Sequence, residues 1–278
     1  MTPTLRMTPA GKKKKRRVGP ESRDRHRLYE IAVQSPEANI HFCDRIYKKK
    51  NGKPPRILKE DFCGTAFLSA EWVKKRQDRM AIGVDLDGDT LRWARQHNLK
   101  PLGKDASRVT LIRGDVRSMR KTKVDVVVAF NFSYFTFKTV EELRKYFANA
   151  RDSLAAGGIF VLDIFGGWEA QMDVTDKTRH KGFTYVWDQK GVDPVTNHGL
   201  FHIHFKFHGG GGIKRAFVYD WRLWSIPEVR DALLSVGFRS VQVYWEGVDP
   251  DTEEGNGIFR LVKRAENCPG WNAFIVAS

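Results

Sequence analysis

The 278-residue sequence predicts an α/β protein built on a doubly wound parallel sheet. Between residues 56 and 164, five short apolar runs alternate with helical patterns, as parallel strands and their crossover helices require. The first run ends in a tight turn that opens a helix, and the second ends in carboxylates. This geometry places backbone N–H groups and an acid around a nucleoside-containing ligand.

The predicted elements follow one another regularly along the chain. Helical pieces within residues 23–55 precede the sheet as a cover, and two prolines end them. Strands are predicted at residues 56–59, 80–84, 109–112, 124–130 and 158–164, and helices at residues 67–73, 90–96 and 140–154.

The pattern changes after the fifth strand, where residues 168–224 predict an inserted antiparallel ribbon. Residues 183–190, 200–207 and 216–223 alternate apolar with polar positions. In the run FHIHFKFH at residues 201–208, the histidines and the lysine share one face. A His-x-His pair can chelate a metal, but no carboxylate is placed by sequence to complete the site. A solvent-facing strand without a metal is therefore predicted.

The α/β pattern then resumes. SIPE at residues 225–228 is typical of a capped helix start, and Gly237 ends that helix. Two last strands are predicted at residues 241–245 and 272–277. Between them, residues 247–257 are rich in Asp, Glu and Gly and are predicted to form an exposed loop.

The formal net charge is +15, and it is concentrated at the N-terminus. Residues 1–30 hold ten Lys or Arg against three Asp or Glu, with the block Lys12–Arg17 at their centre. Residues 1–22 are therefore predicted to be a disordered basic tail, and residues 23–278 to form the folded domain. Such a tail attracts polyanions, so nucleic acid, a nuclear import receptor and an acidic membrane remain possible partners beside a tail with no specific partner.

Cysteine usage and hydropathy predict an intracellular protein. The three cysteines are widely spaced and form no CxxC pair, which predicts neither disulfides nor a zinc site. No apolar run is long enough to span a membrane, and no apolar core of a signal peptide is present. A cytoplasmic location is expected, or a nuclear one in a eukaryote; the oligomeric state stays open.

The run EDFCGTA at residues 60–66 resembles the glycine-rich first motif of the class I S-adenosylmethionine (AdoMet)-dependent methyltransferases. In that motif an acid precedes three alternating glycines. Gly64 matches the middle glycine, whereas Phe62 and Ala66 occupy the outer positions. Glu60 lies where the family's acid approaches the amino group of the cofactor.

Further motifs follow at the intervals of this family. GVD at residues 83–85 resembles the second motif, which implies that Asp85 binds the ribose and that the next residue packs on the adenine. RGDV at residues 113–116 resembles the third, which implies a contact of Asp115 with the adenine amine. FNFSY at residues 130–134 ends strand four where the family places residues that face the substrate. LAAGG at residues 154–158 and LLSVGF at residues 233–238 are also characteristic.

The resemblance implies a Rossmann-like sheet of seven strands, mostly parallel with an antiparallel last strand, and AdoMet as cofactor. An NAD site would need GxGxxG for its pyrophosphate, and this turn lacks that spacing. The implied cofactor site, including a tyrosine of the cover, consists of Tyr29, Glu60, Phe62, Cys63, Gly64, Thr65, Asp85, Leu86, Asp115, Val116 and Asn131.

The predicted function is methyl transfer to a nitrogen, oxygen or sulfur atom of a small molecule by in-line displacement. Asn131 and Tyr134 are the candidate catalytic residues, and Asp163, His202, His204 and Asp220 are further candidates for a general base. One alternative is the same chemistry on RNA or a ribosomal protein, recruited by the basic tail. Another is a non-catalytic partner protein that binds the cofactor.

Overall fold

The computed structural model describes residues 23–119, 122–252 and 254–278. Its strands β1 to β12 are Ile57–Asp61, Met80–Asp85, Val109–Arg113, Val124–Ala129, Leu154–Gly166, Val174–Arg179, Phe183–Gln189, His198–Phe207, Gly212–Arg222, Val241–Val248, Gly255–Val262 and Trp271–Ala277. Its α-helices α1 to α6 are Arg25–Ala32, Pro36–Asn51, Phe67–Lys75, Gly88–Ala94, Val140–Ser153 and Ile226–Ser235. The basic tail predicted at residues 1–22, with Lys12–Arg17, lies outside the described residues.

The main sheet has eight strands in the order β11-β10-β12-β5-β4-β1-β2-β3. Strands β1 to β5 pair in parallel, and β12 lies antiparallel between β5 and β10. The predicted doubly wound sheet with an antiparallel last strand is thereby confirmed. The eighth strand was not predicted: β11 pairs antiparallel with β10 and begins at Gly255, inside the segment predicted to be an exposed loop.

A second, antiparallel sheet in the order β6-β7-β8-β9 follows β5, which confirms the predicted ribbon and adds β6 to it. Its aromatic face packs on the carboxyl end of the main sheet. The Trp221 ring lies 5.9 Å from Phe135 and 6.5 Å from Phe165, between ring centroids. The inserted sheet is therefore held over the end of the main sheet where ligands bind in open α/β folds.

The histidine face of β8 is less exposed than predicted. His202 is buried, because β8 is a central strand and its neighbours Asp188 and Val218 flank this position. His202 and His204 both lie close to the Asp188 carboxylate, at 3.9 and 3.6 Å. The predicted solvent-facing strand is correct for Lys206 and wrong for His202.

Below the first turn, β1 carries a buried ion pair. The ammonium of Lys59 lies 2.7 Å from the Asp61 carboxylate, and both side chains are almost completely buried. The Tyr146 hydroxyl on α5 donates to Asp61 at 3.2 Å. Within the part of the chain that the structure describes, no helix is both long and apolar enough to cross a bilayer.

Candidate functional site

The turn between β1 and α3 runs through three left-handed residues. Phe62, Gly64 and Ala66 have φ values of 57°, 49° and 53°. These are the three glycine positions of the motif, so the backbone keeps the motif's conformation although two side chains are present. A left-handed conformation costs a non-glycine residue roughly 1–2 kcal/mol. The Phe62 ring packs into the core 5.4 Å from Tyr146, which offsets part of that cost.

Gly64 leaves open space above the turn. A Cβ added there would meet no atom within 4 Å. Gly83 on the neighbouring strand is the opposite case, because an added Cβ would lie 2.8 Å from Leu111 and 2.9 Å from the Cys63 sulfur. Cys63 is buried, and burial raises the pKa of its thiol well above the usual range, so it packs as a small apolar side chain. Packing under the turn and space above it suit a ligand that lies on the backbone.

Asp85 ends β2 beside this turn. Its carboxylate accepts from the Gly64 N–H at 2.7 Å and from the Asp87 N–H at 2.9 Å. Burial raises the pKa of Asp85, while the two backbone N–H groups oppose the shift. Each oxygen keeps a lone pair for a further donor. Leu86 is 64% exposed, whereas Asp87 caps α4, where its carboxylate accepts from the Thr90 hydroxyl.

Glu60 lies on the opposite face of β1 from the buried ion pair. One of its oxygens, Oε2, accepts from both the backbone N–H and the hydroxyl of Ser69, at 2.9 and 2.5 Å. Burial raises the pKa of Glu60 to about 8, and the negative charge of Asp85 adds to the shift. Glu60 borders a small recess, which we call the Glu60 recess, together with Ser35, Asn39 and Asn131.

Asp115 follows β3, and its carboxylate is occupied. Arg117 contacts both oxygens at 2.7–3.1 Å and also binds Glu142 at 2.7 Å. The Arg117 side chain holds the pKa of Asp115 below its usual value. Val116 is buried in the core. The predicted adenine contact of Asp115 would therefore share this carboxylate with Arg117, which the sequence motif did not reveal.

The segment after β4 turns sharply and separates the two predicted catalytic residues. Asn131 and Phe132 have φ values of 59° and 56°, and their N–H groups donate to the Asp163 carboxylate at 2.6 and 2.9 Å. Asn131 borders the Glu60 recess, and its role in a site stays a prediction. Tyr134 is 0% exposed, and its hydroxyl has no hydrogen-bond partner among the described residues. The structure thus does not bring Tyr134 to the site surface.

Helix α1 covers the turn. The Asn98 amide donates to the Thr65 carbonyl at 2.8 Å and to Glu30 at 2.6 Å, and Arg27 donates to Asn98 at 2.9 Å. On the other side of α1, the Tyr29 ring lies 4.9 Å from Phe217 of β9. Burial raises the pKa of Tyr29 to about 12, although the hydrogen bond with Tyr219 acts to lower it. The cover thereby connects the turn with the inserted sheet.

A cavity of about 320 Å³ lies beside the Glu60 recess, between α2 and the carboxyl ends of β4 and β5. We call it the α2–β12 cavity, and its polar lining includes Asn131, Asp163, Glu246 and Asn272. Asn131 borders both spaces. The sequence analysis named Asn131 and Asp163 as candidates and did not name Glu246 or Asn272. Their strands β10 and β12 were predicted, but only the pairing of β12 between β5 and β10 brings the two side chains together.

The eight-stranded sheet, the open turn after β1 and the carboxylate that ends β2 form a Rossmann-like α/β fold. Residues 62–158 match a family model described as a methyltransferase domain. No curated protein matches the sequence.

Solved structures of low identity share the fold. An AdoMet-dependent methyltransferase from Clostridium acetobutylicum is 16% identical, covers 90% of this chain and 96% of its own, and has a TM-score of 0.62. A sugar N-methyltransferase from a Streptoalloteichus species is 16% identical over 96% and 97%, with a TM-score of 0.61. An amino pentose methyltransferase of calicheamicin biosynthesis from Micromonospora echinaspora, solved with bound AdoMet, is 15% identical over 91% and 96%, with a TM-score of 0.63. The predicted resemblance is confirmed at the level of the fold, which the chain shares with AdoMet-dependent methyltransferases, and residues 62–158 match a methyltransferase domain.

Proposed function

We propose that the protein transfers a methyl group from AdoMet to a small molecule held in the α2–β12 cavity. The observation that carries the proposal is the pairing of an open left-handed turn at Gly64 with the carboxylate of Asp85. The domain match supports methyltransferase chemistry. The position of the cavity next to the Glu60 recess supports its role as the site of the methyl acceptor.

The residues around the turn fit AdoMet better than a dinucleotide. AdoMet carries a positive sulfonium and an ammonium group, and it has no phosphate. Glu60 and Asp85 flank the turn, and a cation bound there would favour the ionised form of Glu60, whose pKa burial raises, whereas a pyrophosphate would oppose it. The open space above Gly64 leaves room for the ligand without movement of the backbone.

Each residue has a binding or positioning role. Asp85 would accept the ribose hydroxyls, Leu86 would cover the adenine, and Glu60 would lie near the amino group. When bound, AdoMet supplies an electrophilic methyl group on sulfur. Because the reaction needs alignment more than a covalent residue, holding both reactants in place can contribute roughly 7–11 kcal/mol. Helix α1 and the inserted sheet would exclude water from the reacting atoms.

A small acceptor is supported by the dimensions of the site. The α2–β12 cavity has a volume of about 320 Å³, at the lower end of the range of roughly 300–1,000 Å³ typical of small-molecule sites. The inserted sheet also covers the carboxyl end of the main sheet at Trp221, which would obstruct a large substrate. Sugar methyltransferases among the structural neighbours agree with an acceptor of this size.

Isothermal titration calorimetry of the full chain with AdoMet and with NAD tests the cofactor. We expect AdoMet to bind and Asp85→Asn to weaken it roughly 10- to 100-fold, since hydrogen bonds to a charged group contribute about 1.5–3 kcal/mol. Asn keeps one acceptor oxygen for the Gly64 N–H, so the turn should persist. Asp89→Asn, at an exposed carboxylate in the first turn of α4, is the matched control. Tighter binding of NAD than of AdoMet would reject the proposal.

A further inference from the structure

The α2–β12 cavity contains two carboxyl groups that are held only by neutral donors. Asp163 accepts from the N–H groups of Asn131 and Phe132. Glu246 is 7% exposed and accepts from the Gly257 N–H at 3.0 Å and from the Asn272 amide at 3.1 Å. Neither carboxyl group forms an ion pair with a Lys, Arg or His side chain of residues 23–119, 122–252 or 254–278.

Two glycines of β11 lie against the Glu246 carboxyl group and fix its position. Gly255 lies so close that an added Cβ would be 2.6 Å from the Glu246 carboxyl carbon. Gly257, which donates to the same carboxyl group, has a φ of 72°. Burial raises the pKa of Glu246, and a ligand ammonium group beside it would favour the ionised form of this carboxyl group.

The remaining wall of the cavity also suits a cation. Four phenylalanines line it, and the ring of one of them, Phe274, lies 4.5 Å from Phe42 and 4.2 Å from Phe259, between ring centroids. Aromatic faces attract cations, and ammonium groups are frequent ligands of such walls. The basic side chains of the lining, His41 and Arg45, are exposed. Arg45 donates to the Phe259 carbonyl, so its charge stays at the rim.

We propose that the methyl acceptor is a small amine that enters the α2–β12 cavity as its ammonium ion and is methylated on nitrogen. This inference rests on the proposed function and narrows its acceptor from nitrogen, oxygen or sulfur to nitrogen. Glu246 and Asp163 hold the ammonium group. Asp163 then takes the proton. Its carboxylate accepts from the N–H group of Asn131, and Asn131 also borders the Glu60 recess, beside which the cofactor would lie.

The step is balanced without a further reactant. The ammonium ion gives a proton to the Asp163 carboxylate, and the freed nitrogen lone pair forms a bond to the methyl carbon. The carbon–sulfur bond breaks with its electron pair going to sulfur, which leaves a neutral thioether and a methylated ammonium product. Burial raises the pKa of Asp163 to about 7, which suits a group that must accept and then release a proton near neutral pH.

The test measures release of S-adenosylhomocysteine by the full chain with AdoMet and a panel of primary and secondary amines, each matched with its alcohol and thiol isosteres. We expect turnover with at least one amine and at least a tenfold slower reaction with its isosteres. Turnover that prefers an alcohol or thiol would overturn the inference. So would the absence of turnover with every amine while calorimetry shows AdoMet binding; lack of AdoMet binding would instead reject the proposed function.

Two variants separate the roles of the carboxyl groups. Glu246→Gln should raise the KM for the amine at least tenfold and leave AdoMet affinity unchanged. Asp163→Asn should lower kcat at saturating amine. Asp251→Asn, on the exposed turn between β10 and β11, is the control and should match the parent chain. Circular dichroism and thermal melting establish that each variant is folded; a folded Glu246→Gln with unchanged KM would contradict the inference.

Discussion

Glu60 should make the stability of the ligand-free protein fall as the pH rises, and Glu60→Gln should remove this dependence. Burial raises the pKa of this carboxyl group from its ordinary 4.5 to about 8. Between these values the folded protein holds a proton that the unfolded chain has released. Stability from this group is therefore complete below about pH 4.5 and is lost as the pH rises toward 8.

The size of the change in the free energy of unfolding follows from the release of one proton. Each pH unit within the window lowers the free energy of unfolding by about 1.4 kcal/mol, so the interval from pH 5.5 to 7 corresponds to about 2 kcal/mol. Glutamine preserves the local structure, because a single oxygen of Glu60 accepts both hydrogen bonds from Ser69 and the amide oxygen can take its place. The charge is the main difference between the two side chains.

The assay is guanidinium unfolding of the parent chain and the variant at pH 5.5, 6.25 and 7, at constant ionic strength. Other titrating groups contribute equally to both proteins, so the difference between the two curves isolates Glu60. Glu141→Gln, at an exposed position in the first turn of α5, is the control and should follow the parent curve. If the parent and Glu60→Gln run parallel across this interval, the argument from burial is wrong.

Three further predictions concern the packing of the turn and of β1. Gly64→Ala should destabilise the protein by about 1 kcal/mol in denaturant melts, because the left-handed backbone is strained without a clash. Gly83→Ala should cost about 1–3 kcal/mol, and less in a Cys63→Ala background that removes the sulfur it meets; equal costs would refute this contact. Lys59→Met should cost about 3–5 kcal/mol by leaving the Asp61 charge unpaired, and Lys59→Met with Asp61→Leu should recover most of it; an additive double variant would refute the pairing.

The parts of the fold that the sequence predicts well are those with strong local patterns. Strand β4 and most of β5 are apolar because both faces are buried, and the spacing of the five parallel strands leaves little room for another topology. The polar strands were missed. β6 has the sequence VTDKTR and no residue of β11 is buried, since both lie at the edge of a sheet and bury little. Unlike the edge strand β9, these two strands carry no regular apolar alternation, so pairing with a neighbour reveals them and composition does not.

In the candidate site, too, local motifs predict some residues, whereas others depend on contacts between distant parts of the chain. Asp85 and Gly64 meet because a strand end and a turn of fixed spacing place them together, which a motif encodes. The burial of Tyr134 depends on two consecutive left-handed residues after β4, and no sequence pattern predicted that turn. Glu246 lines the cavity because strands that are distant in the sequence pair with each other. A local sequence pattern cannot predict such a pairing.

The short cover helix has a consequence for the timing of ligand exchange. Helix α1 has eight residues, too few to be stable as a helix by itself, so its order depends on docking. Its contacts with Asn98 and Phe217 tie the turn and the inserted sheet into one closed state. A nucleoside lying on the turn would then leave only when this helix undocks. We expect its residence time to follow the local opening of α1, measurable by amide hydrogen exchange, independently of how tightly the ribose is held.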